Sequence, residues 1–226
     1  MAANGLPDCR IMRRHHSARS STLSQYLVVH PTHPQPRLVN RAAEIVAGGG
    51  VIVYPTDSTY ALGCRLGDKD AADRIRSLRQ LPKDHYLTLV CRDLSELASY
   101  ARVDNTSYRI VKRHLPGPMT FVLAATREVP RRLVHRQRRT IGLRVPDNVI
   151  AQAILTALGE PIMSTTALLP GASLPLTDME MERDRLEHAV DVIVDGGIGG
   201  VQPTTVVDLT SGDAAIVREG VGTLDI

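Results

Sequence analysis

The sequence predicts a single α/β domain built on one twisted sheet, mixed or parallel, under helices. Three observations favour this fold class. Short apolar segments rich in β-branched residues, typical of strands, alternate along the chain with segments of helical periodicity. Many of the strand segments are apolar on both faces, as in a sheet that lies between layers. At 226 residues, the chain is long enough for one substantial core.

The first half of the chain is predicted to begin with a strand and then to alternate. Residues 1–24 are rich in Arg, Ser and His and are expected to be a disordered extension, with structure beginning at Tyr26 in YLVV. The elements that follow are a helix with Leu38, Ala42, Ile45 and Val46 inward, a strand over 51–54, a helix capped by Asp68, a strand over 87–91, and helices opened by Asp93 and Asp104.

The second half continues the alternation. Its elements are strands over 121–126 and 140–145, a helix over 148–159 closed by Gly159, a strand over 161–166, and strands in VDVIVDGG, TTVVDL and AAIVREG. The glycine-rich residues 196–200 are predicted to form a hairpin turn. The longest irregular segment, residues 168–180, is either a lid or a loop.

Composition excludes several classes of protein. The apolar fraction is 43% and no apolar run reaches the roughly 18 residues of a membrane helix, so no spanning segment is expected. Cys9, Cys64 and Cys91 are odd in number and widely spaced, which argues against a disulfide framework or a zinc site and favours a cytoplasmic protein. The histidines form no HxxxH or HExxH pattern, so no metal site is predicted.

A basic block stands out against a net charge of only +3. Its arginines, opposed by Glu128 alone, are Arg127, Arg131, Arg132, Arg136, Arg138, Arg139 and Arg144. Such a block indicates either a phosphate-bearing partner or a solvated basic face.

Hydroxyl groups accompany several of the predicted strands. The strand over 51–54 runs into PTDSTY, which has more hydrogen-bonding groups than a turn needs and favours a ligand site over a capped turn. Similar groups occur in PGPMT, in PIMSTT and at the start of TTVVDL. Strand ends at one edge of an α/β sheet converge on one crevice, so we expect these groups to share a site. Arg144 and Arg218 would bind carboxylate or phosphate there.

Familiar catalytic motifs are missing from the sequence. No GxxxxGK[ST] loop occurs, and no GxGxxG follows a strand. Ser164 lacks the GxSxG elbow, and no nucleophile, base and orienting group stand out together. This favours a site that works by positioning and charge neutralisation over covalent catalysis.

Six motifs in order resemble the Sua5/YciO/YrdC family, and its YciO-like branch most closely. They are YPTDSTYALGC, LPGPMTFVL, IGLRVPDN, PIMSTTALLPG, PTTVVDL and VREGVG. The resemblance implies a YrdC-like twisted open mixed sheet with helices over residues 25–226, and a large basic concave cleft. It also implies that L-threonine, bicarbonate or CO2, and ATP with Mg²⁺ are condensed to L-threonylcarbamoyladenylate and pyrophosphate, an intermediate of tRNA t6A modification.

The resemblance also implies roles for individual residues. Those expected to bind threonine are Thr56, Ser58, Arg144 and Thr204, and those expected to bind the nucleotide are Arg79, Thr120, Ser164, Thr166 and Arg218. Arg79 and Arg144 would act in catalysis. Family members also bind double-stranded RNA or tRNA, for which residues 127–144 are the candidate surface.

Three positions depart from the pattern of the active synthases. Their K-x-R-P reads Arg79-Gln80-Leu81-Pro82 here, their S-A-N ends in Thr166, and Val90 replaces a histidine. Losing one buried arginine contact, worth roughly 1.5–3 kcal/mol, would weaken nucleotide binding on the order of tenfold or more. Lys83 and His85 lie nearby in the sequence and could compensate.

Three functions therefore stay open: a synthase of weak or altered activity, a non-catalytic RNA-binding protein of the same fold, and a nucleotide or metabolite sensor. The shortage of aromatic residues disfavours a reader of stacked single-stranded bases.

Overall fold

The computed structural model describes residues 23–82, 85–130, 133–135 and 137–225. The disorder predicted for residues 1–24 falls almost entirely on residues 1–22, which lie outside the described residues. The described chain enters the fold at Ser24, whose N–H donates to the carbonyl of Glu187 at 2.8 Å, directly before the first strand.

The strands of the described residues form one 11-stranded mixed sheet, which confirms the predicted α/β class. They are β1 Gln25–Val28, β2 Ile52–Tyr54, β3 Ala61–Arg65, β4 Thr88–Val90, β5 Ala101–Arg102, β6 Met119–Ala125, β7 Thr140–Arg144, β8 Ile162–Thr166, β9 Val192–Asp195, β10 Thr205–Asp208 and β11 Ala215–Arg218. Their order across the sheet is β1-β9-β2-β3-β8-β4-β7-β6-β10-β11, with β5 paired to β6. The pairs β1/β9, β9/β2, β4/β7 and β6/β10 are parallel, and the other pairs are antiparallel.

The helices of the described residues are α1 Pro36–Ala47, α2 Lys69–Leu78, α3 Leu94–Tyr100, α4 Asn105–His114, α5 Val149–Leu158 and α6 Arg183–Leu186. As predicted, the carboxylates of Asp68, Asp93 and Asp104 accept backbone N–H groups at the starts of α2, α3 and α4. Gly159 ends α5 in the left-handed conformation, with φ of 73°. Within the described residues, no helix has the length and apolar character needed to cross a membrane.

Helices α1 and α5 cover only part of one face of the sheet. Ile52 and Tyr54 of β2 pack with these two helices, whereas Val53 between them belongs to the core on the opposite face. The core on that opposite face continues under β6 and β7 through Phe121 and Leu143. The residues that alternate with Phe121 and Leu143 point to the other face of the sheet. There they lie on the part of that face that α1 and α5 leave uncovered.

The structure contains a strand, β3, between the PTDSTY turn and α2, where none was predicted from the sequence. Its sequence, ALGCR, carries no β-branched residue and so lacks a local strand signal. The strand exists because it pairs with β2 on one side and β8 on the other. A Cβ at Gly63 would lie 2.6 Å from Cγ2 of Ile162, so the close packing requires glycine there.

The hairpin predicted for residues 196–200 is wrong, because β9 pairs with β1 and β2 whereas β10 pairs with β6 and β11. The chain instead crosses from one half of the sheet to the other. The segment packs on the PTDSTY turn: the Tyr60 hydroxyl donates to the Gly197 carbonyl at 2.7 Å. A Cβ at Gly200 would lie 2.1 Å from the Ser58 carbonyl oxygen. The absence of a side chain at Gly200 therefore allows the segment to approach the turn closely.

Residues 168–180 form a loop that is anchored by buried side chains, Leu169, Leu176 and Met179. The exposed part between the first two anchors includes Ser173 and Leu174, which border the cavity described below. The segment therefore forms a wall of the site.

Candidate functional site

A cavity of about 670 Å³ lies on the open half of the sheet. Its floor is formed by residues at alternate positions of neighbouring strands, namely Thr88 and Val90 on β4, Thr120 and Val122 on β6, Thr140, Gly142 and Arg144 on β7, Ser164 and Thr166 on β8, and Val206 and Asp208 on β10. Side chains on a strand point alternately to the two faces of the sheet. The residues between them, such as Leu143, enter the core and hold the floor in place.

The site was expected in a crevice along one edge of the sheet, where strands end. It instead extends over a face, and both kinds of strand end contribute to it. Thr120 lies near the start of β6, and Arg144 is the last residue of β7, which runs antiparallel to β6. In a mixed sheet, one edge does not collect the carboxyl ends of all strands, so the edge rule for parallel sheets does not apply.

Seven of the nine residues selected from the sequence line this cavity: Arg79, Thr120, Arg144, Ser164, Thr166, Thr204 and Arg218. The other two, Thr56 and Ser58, do not line it. Their side chains lie behind Arg144, with 9% and 4% of their surface exposed.

Arg144 is the most buried cation of the described cavity, with 9% of its side chain exposed. Its Nη2 forms an ion pair with Asp57 Oδ1 and donates to Ser58 Oγ at 3.0 Å and Thr56 Oγ1 at 3.3 Å. Its Nε is buried and has no hydrogen-bond partner among the described residues. A buried N–H of a charged group is costly unless an acceptor reaches it, so this arrangement suits an anionic ligand.

Arg79 enters the cavity from the end of α2. The helix ends where Gln80 adopts φ of 51°, and the N–H groups of Gln80 and Leu81 bond back to the carbonyls of Ser77 and Arg76. Arg79 Nη1 donates to Thr165 Oγ1 at 3.1 Å and to the Thr166 carbonyl.

Burial lowers the pKa of Arg79, and its Nε lacks a partner within the described part of the chain. Like Arg144, Arg79 therefore lines the cavity and has a buried N–H that no described residue accepts.

The third arginine, Arg218, stands at the far side of the floor. Its Nη2 donates to the carbonyl of Thr204 at 2.9 Å and to its hydroxyl at 3.2 Å. The Thr204 and Thr120 hydroxyl oxygens are 3.0 Å apart. Partial burial of the guanidinium group, together with the charge of Arg144, lowers the pKa of Arg218.

The cavity has an excess of positive charge. Arg138 also lines it, whereas Asp208 is the one carboxylate-bearing residue of the described lining. From the basic block, Arg127 and Arg139 are exposed, and the remaining members, Arg131, Arg132 and Arg136, lie outside the described residues. The lining therefore fits an anionic ligand with several charges.

A model of the Sua5/YciO/YrdC family, described as telomere recombination, matches residues 44–220 of this chain. The chain belongs to the Sua5/YciO/YrdC family. The uncharacterized protein YciO of Escherichia coli is 56% identical over 200 residues, which are 88% of this chain and 97% of that protein. The crystal structure of E. coli YciO matches with a TM-score of 0.85 and covers 89% of this chain and 98% of that one.

More distant relatives carry a named activity or ligand. The threonylcarbamoyl-AMP synthase of Halorhodospira halophila is 33% identical over 184 residues, which are 80% of this chain and 95% of that protein. P. abyssi Sua5, crystallised with L-threonine, matches with a TM-score of 0.80 at 26% identity, over 87% of this chain and 58% of that one. These findings confirm the family and the YrdC fold inferred from the six motifs.

The three departures from the synthase pattern have different places in this member of the Sua5/YciO/YrdC family. Val90 and Thr166 line the cavity, and Val90 lies directly beside Arg144 in the pairing of β4 with β7. Leu81 follows the Gln80 turn and does not line it. His85 lines the cavity, whereas Lys83 lies outside the described residues.

Sequence reasoning missed part of the lining. Tyr86 and His135 border the cavity with their rings 5.0 Å apart, and Thr88, Thr140 and Asp208 contribute to its floor. Thr88, Thr140 and Asp208 could have been predicted from a pattern within the mostly apolar strands, in which small or polar residues alternate with core residues. No local signal brings Tyr86 and His135 together.

The described residues contain no group of three or more His, Cys, Asp or Glu side chains that could hold a metal ion. Magnesium is often held by substrate phosphates together with one or two carboxylates. The described lining supplies one carboxylate, that of Asp208, so a magnesium ion in the cavity would need most of its oxygen ligands from a bound phosphate group.

Proposed function

We propose that this protein is a threonylcarbamoyl-AMP synthase-like nucleotidyltransferase, which condenses L-threonine, CO2 or bicarbonate, and MgATP. The observation that carries the proposal is the set of three guanidinium groups, of Arg79, Arg144 and Arg218, around one hydroxyl-lined cavity. Two of the three have a buried Nε without a partner among the described residues. A carboxylate and a triphosphate together supply the charge and the acceptors that these groups lack.

Arg144 is the residue best suited to the threonine carboxylate. It lies deepest of the three, and Ala61 and Ser164 line the cavity with it, which suits a small polar amino acid. The structure of P. abyssi Sua5 with L-threonine supports an amino-acid ligand for this fold.

Thr120, Thr204 and Arg218 are best suited to the nucleotide. Their hydroxyl and guanidinium groups form one hydrogen-bonded cluster on the opposite side of the floor from Ser164. This proposal exchanges two roles that the resemblance implies, since it moves Thr204 from threonine to the nucleotide and Ser164 from the nucleotide to threonine. Arg79, which is held by the end of β8, would neutralise charge on the phosphates.

The reaction needs no covalent intermediate with the protein. The threonine amine attacks CO2 and loses a proton to give the carbamate. A carbamate oxygen then attacks the α-phosphorus of ATP, the bond to the β-phosphate bridging oxygen breaks, and pyrophosphate leaves. The arginines would stabilise the charge that develops on the departing pyrophosphate, which is catalysis by fixed charges and positioning. The product would feed t6A modification of tRNA.

The test is pyrophosphate release by the purified full chain in the presence of L-threonine, bicarbonate and MgATP. We expect release that requires all three substrates and is lost in Arg144→Met. Arg41→Met is the matched control, because Arg41 is exposed on α1 and pairs with Glu44 away from the cavity. Release no higher than in the absence of threonine, at high protein concentration, would contradict the proposal, and ATP binding without turnover would indicate a sensor.

A second candidate function is binding of double-stranded RNA or tRNA without catalysis. The observation that favours it is the position of the basic block, since Arg138 borders the cavity and Arg127 and Arg139 are exposed. Phosphate contacts make such binding strongly dependent on salt. Filter binding to tRNA at two salt concentrations tests it, and no retention at low salt would exclude it.

A further inference from the structure

Arg144 is held in place by three consecutive residues that all act on the same nitrogen. Nη2 pairs with the carboxylate of Asp57 and donates to the hydroxyls of Thr56 and Ser58. These three residues belong to the turn that follows β2, whereas Arg144 ends β7. The contacts therefore join two elements that are distant along the chain.

None of the three turn residues lines the described cavity, although Arg144 does. The Thr56 hydroxyl is already occupied, since it donates to the Thr59 carbonyl at 2.5 Å and accepts the N–H groups of Ser58 and Thr59 at 3.3 and 3.2 Å. The Asp57 side chain is 10% exposed, and its Oδ2 is buried without a partner in the described residues. Thr59 of the same turn lines the cavity, but these three residues do not, so a substrate in the cavity meets Arg144 rather than them.

We propose that Thr56, Asp57 and Ser58 are positioning residues, which act on an anionic ligand through Arg144. By engaging Nη2, they fix the plane of the guanidinium group at the wall of the cavity. This reassigns Thr56 and Ser58, for which the family resemblance implies direct threonine contacts. The identity of the ligand as the threonine carboxylate rests on the proposed function.

Positioning of Arg144 would strengthen ligand binding because of the conformational entropy of the arginine side chain. A free arginine loses rotamer freedom when it binds, and that loss weakens the affinity unless the side chain is already ordered. Asp57 has a second, opposite effect, because its negative charge reduces the attraction of Arg144 for an anion. When the charge of Asp57 is removed, the lost ordering of Arg144 would weaken anion binding, whereas the lost negative charge would strengthen it.

The first experiment is calorimetry of L-threonine and of ATP with the full chain and its variants. We expect Asp57→Asn and Ser58→Ala to weaken threonine binding on the order of tenfold, with ATP affinity unchanged. Ser58→Ala alters no charge, so it isolates the positioning effect and replaces Asp57→Asn if that variant does not fold. Asp191→Asn is the control, because it breaks an ion pair with Arg74 outside the cavity.

The second experiment measures how firmly the Arg144 side chain is held when no ligand is present. NMR of the arginine Nε–Hε signals, with Arg144 assigned by comparison with Arg144→Lys, should show slow rotation about the Cζ–Nε bond in the wild type and faster rotation in Asp57→Asn. If the wild type does not bind threonine, the proposed function fails and this measurement still decides the positioning role. Unchanged rotation in Asp57→Asn, or threonine affinity that is equal or tighter in the variants, would overturn the inference.

Discussion

The hydroxyl oxygens of Thr120 and Thr204 lie 3.0 Å apart on neighbouring chain segments, and Arg218 donates to the same Thr204 hydroxyl at 3.2 Å. The cluster joins the start of β6, the residue before β10 and the end of β11. A hydroxyl and a guanidinium group fixed in this way are suited to hold ribose or phosphate oxygens.

For this cluster, we expect Thr204→Val to weaken ATP binding several-fold, because the variant loses about one hydrogen bond to the ligand or to Arg218. Threonine binding should not change. Calorimetry with each ligand measures both effects, and Thr156→Val serves as the control, since its hydroxyl bonds within α5 on the surface. Equal losses for threonine and ATP would argue against a separate nucleotide subsite.

Arg79 should be required for pyrophosphate release and should not be replaceable by lysine. Its guanidinium group contacts two residues of β8 through Nη1 alone, so other nitrogens of the same planar group can serve a ligand, which the single nitrogen of lysine cannot reproduce. We expect Arg79→Lys and Arg79→Met to lower the rate about tenfold or more. Lys69→Met, at an exposed position of the same helix, should retain the wild-type rate. Full activity of Arg79→Lys would show that charge alone suffices.

Gly200→Ala should weaken threonine binding although Gly200 does not line the described cavity. The added Cβ would lie 2.1 Å from the Ser58 carbonyl oxygen, so the turn that holds Arg144 must shift. We also expect a loss of about 1–3 kcal/mol in the free energy of unfolding, as for other overpacked sites. Urea denaturation and calorimetry measure the two effects. Gly48→Ala is the control, because its nearest neighbour would be 3.4 Å away, and wild-type threonine affinity in Gly200→Ala would contradict the coupling.

Cys64 and Cys91 should be unreactive in the folded protein. Burial, with a smaller contribution from Asp68, raises the pKa of Cys64 to about 12, and burial likewise raises the pKa of Cys91. A raised pKa lowers the thiolate fraction, so little of the reactive form exists at pH 8.

The measurement is the reaction of a Cys9→Ser variant with a disulfide reagent at pH 8, with and without denaturant. Both remaining thiols should react only in denaturant. Rapid reaction in buffer alone would show that these sites open to solvent.

The elements that were correctly predicted are those specified by residues close together in the chain. Asp68 caps α2 through the N–H of Ala71, and Asn148 caps α5 through the N–H of Ala151, both three positions away. A strand such as β3 has no comparable local signal, since it exists only through pairing with β2 and β8. The prediction of a hairpin at residues 196–200 was wrong for the same reason, because the pairing partners of β9 and β10 depend on the arrangement of the whole sheet.

The amino-acid sequence alone determined the family, the α/β class, most helices and the residue types that gather at the cavity, because motif order, capping and periodicity are local properties. Only the tertiary structure decided that the cavity lies on a face of the sheet and that Arg144 reaches it while Thr56 and Ser58 stay behind. Which side chain reaches a ligand depends on the pairing of strands distant in sequence, and a linear pattern does not contain that information.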